Sequence, residues 1–112
     1  MAFTNGKLAD VQVVSSGATG TIVTVASSKK VYIRSIMLFS PSGSTATAEV
    51  FVVPNGSSAA TANKMFKISL SADETVLLEP VYPIVLDTTG DTLQVTATSQ
   101  DVNVLITGDK EA

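Results

Sequence analysis

Residues 91–98 read "DTLQVTAT", and their alternation decides the fold class. Leu93, Val95 and Ala97 fall on one side of an extended chain, and Gln94, Thr96 and Thr98 on the other. Successive side chains of a strand point to opposite faces. This is therefore the pattern of a strand with one face on a core and the other in water. "MFKISLS" (65–71) repeats it, with Phe66, Ile68 and Leu70 set against Lys67, Ser69 and Ser71. "DVNVLIT" (101–107) does so with Val102, Val104 and Ile106, although Leu105 breaks the polar side.

Outward from these segments the punctuation is regular. "SSGATG" (15–20), "SPSGSTA" (40–46), "PNGSSAATAN" (54–63), "SADE" (71–74), "EPVYP" (79–83) and "DTTGD" (87–91) are turn or loop signals. They bound about nine short strands, at roughly 10–14, 20–26, 30–39, 47–53, 64–70, 75–79, 82–86, 92–98 and 102–107. No window longer than a turn or two has helical periodicity. The fold class is all-β, an antiparallel β-sandwich, with jelly-roll and immunoglobulin-like strand orders both open. Pro80 and Pro83 mark a bend or a sheet edge, because proline cannot donate to a central ladder. In "KKVYIRSIMLFS" (29–40), Val31 and Ile33 share one parity, and Ile36 and Leu38 the other. Either a bulge near Arg34 and Ser35 resets the phase, or both faces are buried. One sandwich domain (10–108) is expected between an N-terminal arm (1–9) and a polar C-terminal tail (109–112). Phe3 and Leu8 are isolated apolar residues in that arm, which is either frayed or docked on a neighbour.

The composition excludes most chemistry. The 112 residues contain neither cysteine nor histidine, so disulfides, thiolates and the usual neutral-pH general base are missing. A net charge of −3 argues against a phosphate-backbone binder, so no nucleic-acid partner is expected. Apolar runs such as "IMLF" and "VFVV" fall far short of the roughly 18 residues of a membrane helix. "MAFTNGKLADVQ" lacks a basic segment followed by an apolar one, which leads us to expect synthesis in a cytoplasm and no membrane partner.

Individual candidates have bland counterparts. Asp87 and Asp91 flank Gly90 and could face a cation, but calcium takes six to eight oxygens and no further acid lies nearby. A hairpin turn with Gly90 at positive φ needs less. Asn55-Gly56-Ser57 spells a glycosylation acceptor and equally a plain turn. Lys29, Lys30, Arg34, Lys64 and Lys67 are too few for a nucleic-acid patch and suit solvent faces or sheet edges. The many serines have no adjacent base. Glu74 and Glu79, five residues apart, would face opposite sides of a strand rather than form a glycosidase pair. No catalytic, cofactor-binding or metal-ligating residue, and no cofactor, is expected.

One property survives. Only 15% of residues are charged and 45% are hydrophobic, and strands 30–39, 47–53 and 75–86 are apolar on both faces. The outer faces of a solitary sandwich are normally polar, and large exposed apolar patches mark partners. We therefore expect a homo-oligomer or a subunit of a larger assembly. Phe3, Leu8, Tyr32, Phe51, Leu77 and Tyr82 are the candidate interface residues.

The pieces "VYIRSI" (31–36), "AEVFVVPNG" (48–56), "DETVLL" (73–78), "GDTLQVTA" (90–97) and "VNVLITG" (102–108) resemble small β-sandwich virion proteins of tailed bacteriophages. Families with this look supply capsid decoration, or cement, proteins and also head-fibre or tail-fibre modules. The resemblance implies a non-enzymatic protein of the capsid surface, made in the host cytoplasm. Its implied partners are the major capsid protein of the same phage and further copies of itself, with a trimer favoured. The alternative it leaves is a fibre module for host-surface attachment.

Overall fold

The computed structural model describes residues 3–27 and 29–111. Ten strands follow in chain order: β1 (Phe3–Lys7), β2 (Gln12–Val14), β3 (Thr19–Thr24), β4 (Val31–Phe39), β5 (Ala46–Val53), β6 (Lys64–Leu70), β7 (Thr75–Leu78), β8 (Ile84–Leu86), β9 (Thr92–Thr98) and β10 (Val102–Glu111). A single turn of 3-10 helix, Thr61–Asn63, leads into β6. The first sheet has six strands in the order β1-β10-β4-β7, with β2 also on β10 and β8 also on β4. The second has four, in the order β3-β9-β5-β6. All these strand pairs are antiparallel. The chain is a two-sheet β-sandwich, as the alternation predicts.

The core lies between the two inner faces. Leu93, Val95 and Ala97 of β9 and Ala46, Ala48 and Val50 of β5 are buried in one cluster with Ile33, Ile36 and Leu38 of β4 and Val102, Val104 and Ile106 of β10. Burying one of the valine, leucine or isoleucine side chains among them stabilises the fold by about 1.5–3 kcal/mol. The parity break in β4 is a bulge. Ser35 pairs with Thr107 and Ile33 with Gly108, which leaves Arg34 without an opposite residue. The extra residue resets the phase, so Val31, Ile33, Ile36 and Leu38 all enter the core.

The expected arm is corrected. Residues 3–7 form β1, which pairs with β10 from Glu111 back to Thr107. All five β1 residues are exposed, so no alternation marks them. Main-chain hydrogen bonding to the edge of β10 makes them a strand. Leu8 donates its N–H to the Ile106 carbonyl at 2.9 Å, and its side chain packs against the core of its own domain. The expected polar tail is corrected in the same way, because β10 continues to Glu111. Met1, Ala2 and Ala112, which those expectations also covered, lie outside the described residues.

Candidate functional site

Asp91 and Glu74, two of the acidic candidates, fasten loops. Asp91 accepts the Asn55 backbone N–H on Oδ1 at 3.0 Å and the Thr88 N–H on Oδ2 at 3.3 Å. Gly90, at φ +91°, turns the chain between them. The 87–91 stretch is thus a turn whose carboxylate clasps the neighbouring Pro54–Gly56 loop. Glu74 accepts the Ser71 N–H at 2.8 Å, and Asp101 the Ser16 N–H at 2.8 Å, in the same manner. Asn55 and Gly56 sit in a tight turn closed by Ser57 N–H donating to the Pro54 carbonyl at 3.0 Å. Among the described residues, no group of three or more Asp and Glu side chains converges as a cation site. Removing the Asp91 clasp leaves two backbone donors to water, so Asp91→Ala is expected to cost about 1–2 kcal/mol. The midpoint of urea unfolding checks this.

The outer face of the first sheet is different. Register places Leu105, Met37 and Leu77 side by side across β10, β4 and β7. Met37 and Leu77 are exposed, and Leu105 is half-buried. A second row runs Asn5, Asp109, Tyr32 and Val85 across β1, β10, β4 and β8. Phe3 meets Tyr32 edge to face, with ring centroids 5.5 Å apart. The bulge presents Arg34 on this face, where its Nε donates to Asp109 Oδ2 at 2.6 Å. The Ser35 and Thr107 hydroxyls pair between the two rows. Phe3, Asn5, Tyr32, Arg34 and Asp109 line an open hollow of about 330 Å³. Beside it, the loop between β7 and β8 carries Val81 and Tyr82, which are 92% and 82% exposed. Pro80 and Pro83 bracket that pair, and Arg34 lies against the loop as well as the hollow.

Of the six candidate interface residues, Phe3, Tyr32 and Leu77 lie on this face and Tyr82 projects at its margin. Leu8 is packed against its own core, as described above. Phe51 is also withdrawn from the surface. It is 4% exposed and, with Val53, is buried outside the main core cluster. The reason is local: the Thr61–Asn63 turn packs on β5, and the Lys64 ammonium lies 5.9 Å from the centre of the Phe51 ring. Apolar residues on both sides of β5 therefore reflect a covered patch rather than an open face. The basic residues do not gather either. Arg34 pairs with Asp109 on the first sheet, and Lys64 pairs with Glu49 at 2.6 Å on the second.

The hydrogen bond from Lys64 holds the Glu49 carboxyl below its ordinary value. A carboxyl lowered by folding adds stability above its unfolded value and loses it as pH falls through the lowered one. The pair's contribution is accordingly expected to be full above pH 4.5 and to fade below it. Glu49→Gln removes that part of the acid slope, as urea unfolding at a series of pH values would show.

Sequence reasoning missed Arg34, Asp109, Met37 and Val85 as members of the face. The signal for the first row was the break at Leu105, an apolar residue at a water-facing position. Nothing local marks Asp109, which meets Arg34 only through strand pairing.

No family model matches the chain, and no curated protein is significantly similar to it. Among solved structures, a chain of infectious bursal disease virus, Gx strain, is 14% identical with a TM-score of 0.44, over 97% of this chain and 31% of that one. A chain of the Gt strain is 10% identical with a TM-score of 0.42, over 97% of this chain and 30% of that one. The protein thus spans under a third of the length of those viral chains.

Proposed function

We propose that the chain is a non-enzymatic structural subunit of a virion, a decoration protein that binds the assembled head of a tailed phage as a homotrimer. The observation that carries this reading is the outer face of the first sheet. It exposes Met37, Leu77, Val85 and Phe3, and Val81 and Tyr82 at its margin, where a solitary sandwich would be polar. The sequence resemblance to phage virion sandwiches supports the same role, as does the use of Asp91, Glu74 and Asp101 to fasten loops. The partners are then the major capsid protein and further copies of the chain, on the capsid surface of particles made in the host cytoplasm.

The mechanism is thermodynamic. A subunit that binds the assembled shell and not its dissociated parts stabilises the shell by linkage, about 2.7 kcal/mol per site at a hundredfold excess over Kd. Many copies, each bridging neighbouring shell proteins, add through multivalency. Co-sedimentation of the purified protein with emptied heads and with isolated tails tests the proposal. Saturable binding to heads and a raised head melting temperature are expected. Binding to tails or host cells alone would overturn it in favour of a fibre role.

A further inference from the structure

We propose that Val81 and Tyr82 of one copy fill the Phe3–Tyr32 hollow of the next, which closes the trimer; this rests on the self-assembly proposed above.

The knob is built for insertion. Val81 and Tyr82 are the most exposed large apolar residues among those described. Pro80 and Pro83 on either side fix two backbone torsions, so the loop loses little freedom on docking. A tyrosine ring buries about 150–250 Å² on insertion and keeps a polar tip that needs a partner.

The hollow offers both. At about 330 Å³ it is of the size that takes a ring and a neighbouring side chain. Phe3 and Tyr32, set edge to face, supply its apolar lining. Asp109, held by Arg34 Nε at its Oδ2, is also part of the lining, so a carboxylate is at hand to accept from a phenol. Asn5, next to Asp109 across the β1–β10 pairing, completes the lining.

The occupant is a second copy because the chain carries both parts. The loop does not fill the hollow of its own chain, since Tyr82 is 82% exposed and does not line it. A knob and a recess carried by the same chain can pair from copy to copy, and such contacts close into a ring when the rotation between copies permits. Arg34 borders both features, so knob and hollow adjoin on the first sheet.

Sedimentation equilibrium of the wild type, Tyr82→Ala and the double variant Asn5→Cys/Val81→Cys tests the contact. Tyr82→Ala is expected to weaken association by about thirtyfold or more, the scale of a hot-spot aromatic, with an unchanged urea midpoint for the monomer. The double variant, in a chain with no other cysteine, is expected to give covalent trimers on mild oxidation. A wild-type trimer that persists in Tyr82→Ala and fails to cross-link would overturn this contact and leave self-assembly standing. A wild type that stays monomeric throughout would overturn both.

Discussion

Gly108→Ala is expected to abolish stable folding. Gly108 is buried in β10 opposite the β4 bulge. A Cβ at this position would lie 1.9 Å from the Tyr32 carbonyl oxygen and 3.1 Å from the Arg34 nitrogen. Both are backbone atoms, so no side chain can swing away. The sheet must separate at Ile33–Gly108 or slip its register, and a one-residue slip would turn the inner residues of β4 outward. Either outcome costs more than the roughly 4 kcal/mol that marks an exceptional substitution. That is much of the roughly 5–15 kcal/mol available to a small domain. The soluble yield and the near-ultraviolet circular dichroism would report the loss. Gly43→Ala is the control. It has nothing within 4 Å of an added Cβ and should stay within about 0.5 kcal/mol of wild type. A soluble, cooperatively folding Gly108→Ala would show that the bulge is not the fixed point described.

The second large effect separates the core from the outer face. Leu93 is fully buried between the sheets, whereas Leu77 is 47% exposed on the face proposed for assembly. Leu93→Ala removes a packed side chain and leaves a cavity, at an expected cost of about 2–5 kcal/mol. Leu77→Ala should cost the isolated monomer well under half of that, because its side chain is already half in water. In assembly the order reverses: Leu77→Ala weakens association while Leu93→Ala, where still folded, leaves the interface composition unchanged. Urea unfolding of dilute protein and sedimentation at higher concentration read the two effects separately. Equal losses of monomer stability would mean that the outer row is covered within the single chain.

What could be read from the sequence follows from where the information is local. The alternation at 91–98, 65–71 and 101–107 placed β9, β6 and β10 because one side of each strand meets water and the other does not. The parity break in 31–38 left a bulge near Arg34 and Ser35 and burial of both faces equally open, and only the pairing of β4 with β10 decides for the bulge. β1 was illegible because its residues are exposed on both sides and its strand character comes from the edge of a segment about a hundred positions away. Phe51 was misread for a related reason: the cover over it comes from Lys64 and the 61–63 turn, which alternation along β5 does not reveal. The apolar surplus announced an outer face, but its polar centre at Arg34 and Asp109 exists only once β4 and β10 are paired.

The position of β10 has a consequence for synthesis. It is the last strand in chain order, yet β1, β2 and β4 all pair with it. The first sheet therefore cannot form until residues 102–111 have left the ribosome, several seconds after β1 at roughly 5–20 residues per second. Until then Leu105 has not joined Met37 and Leu77, and the hollow at Asp109 does not exist. A nascent chain that lacks residues 102–111 cannot present the finished surface to a neighbour, so the proposed assembly would wait on β10.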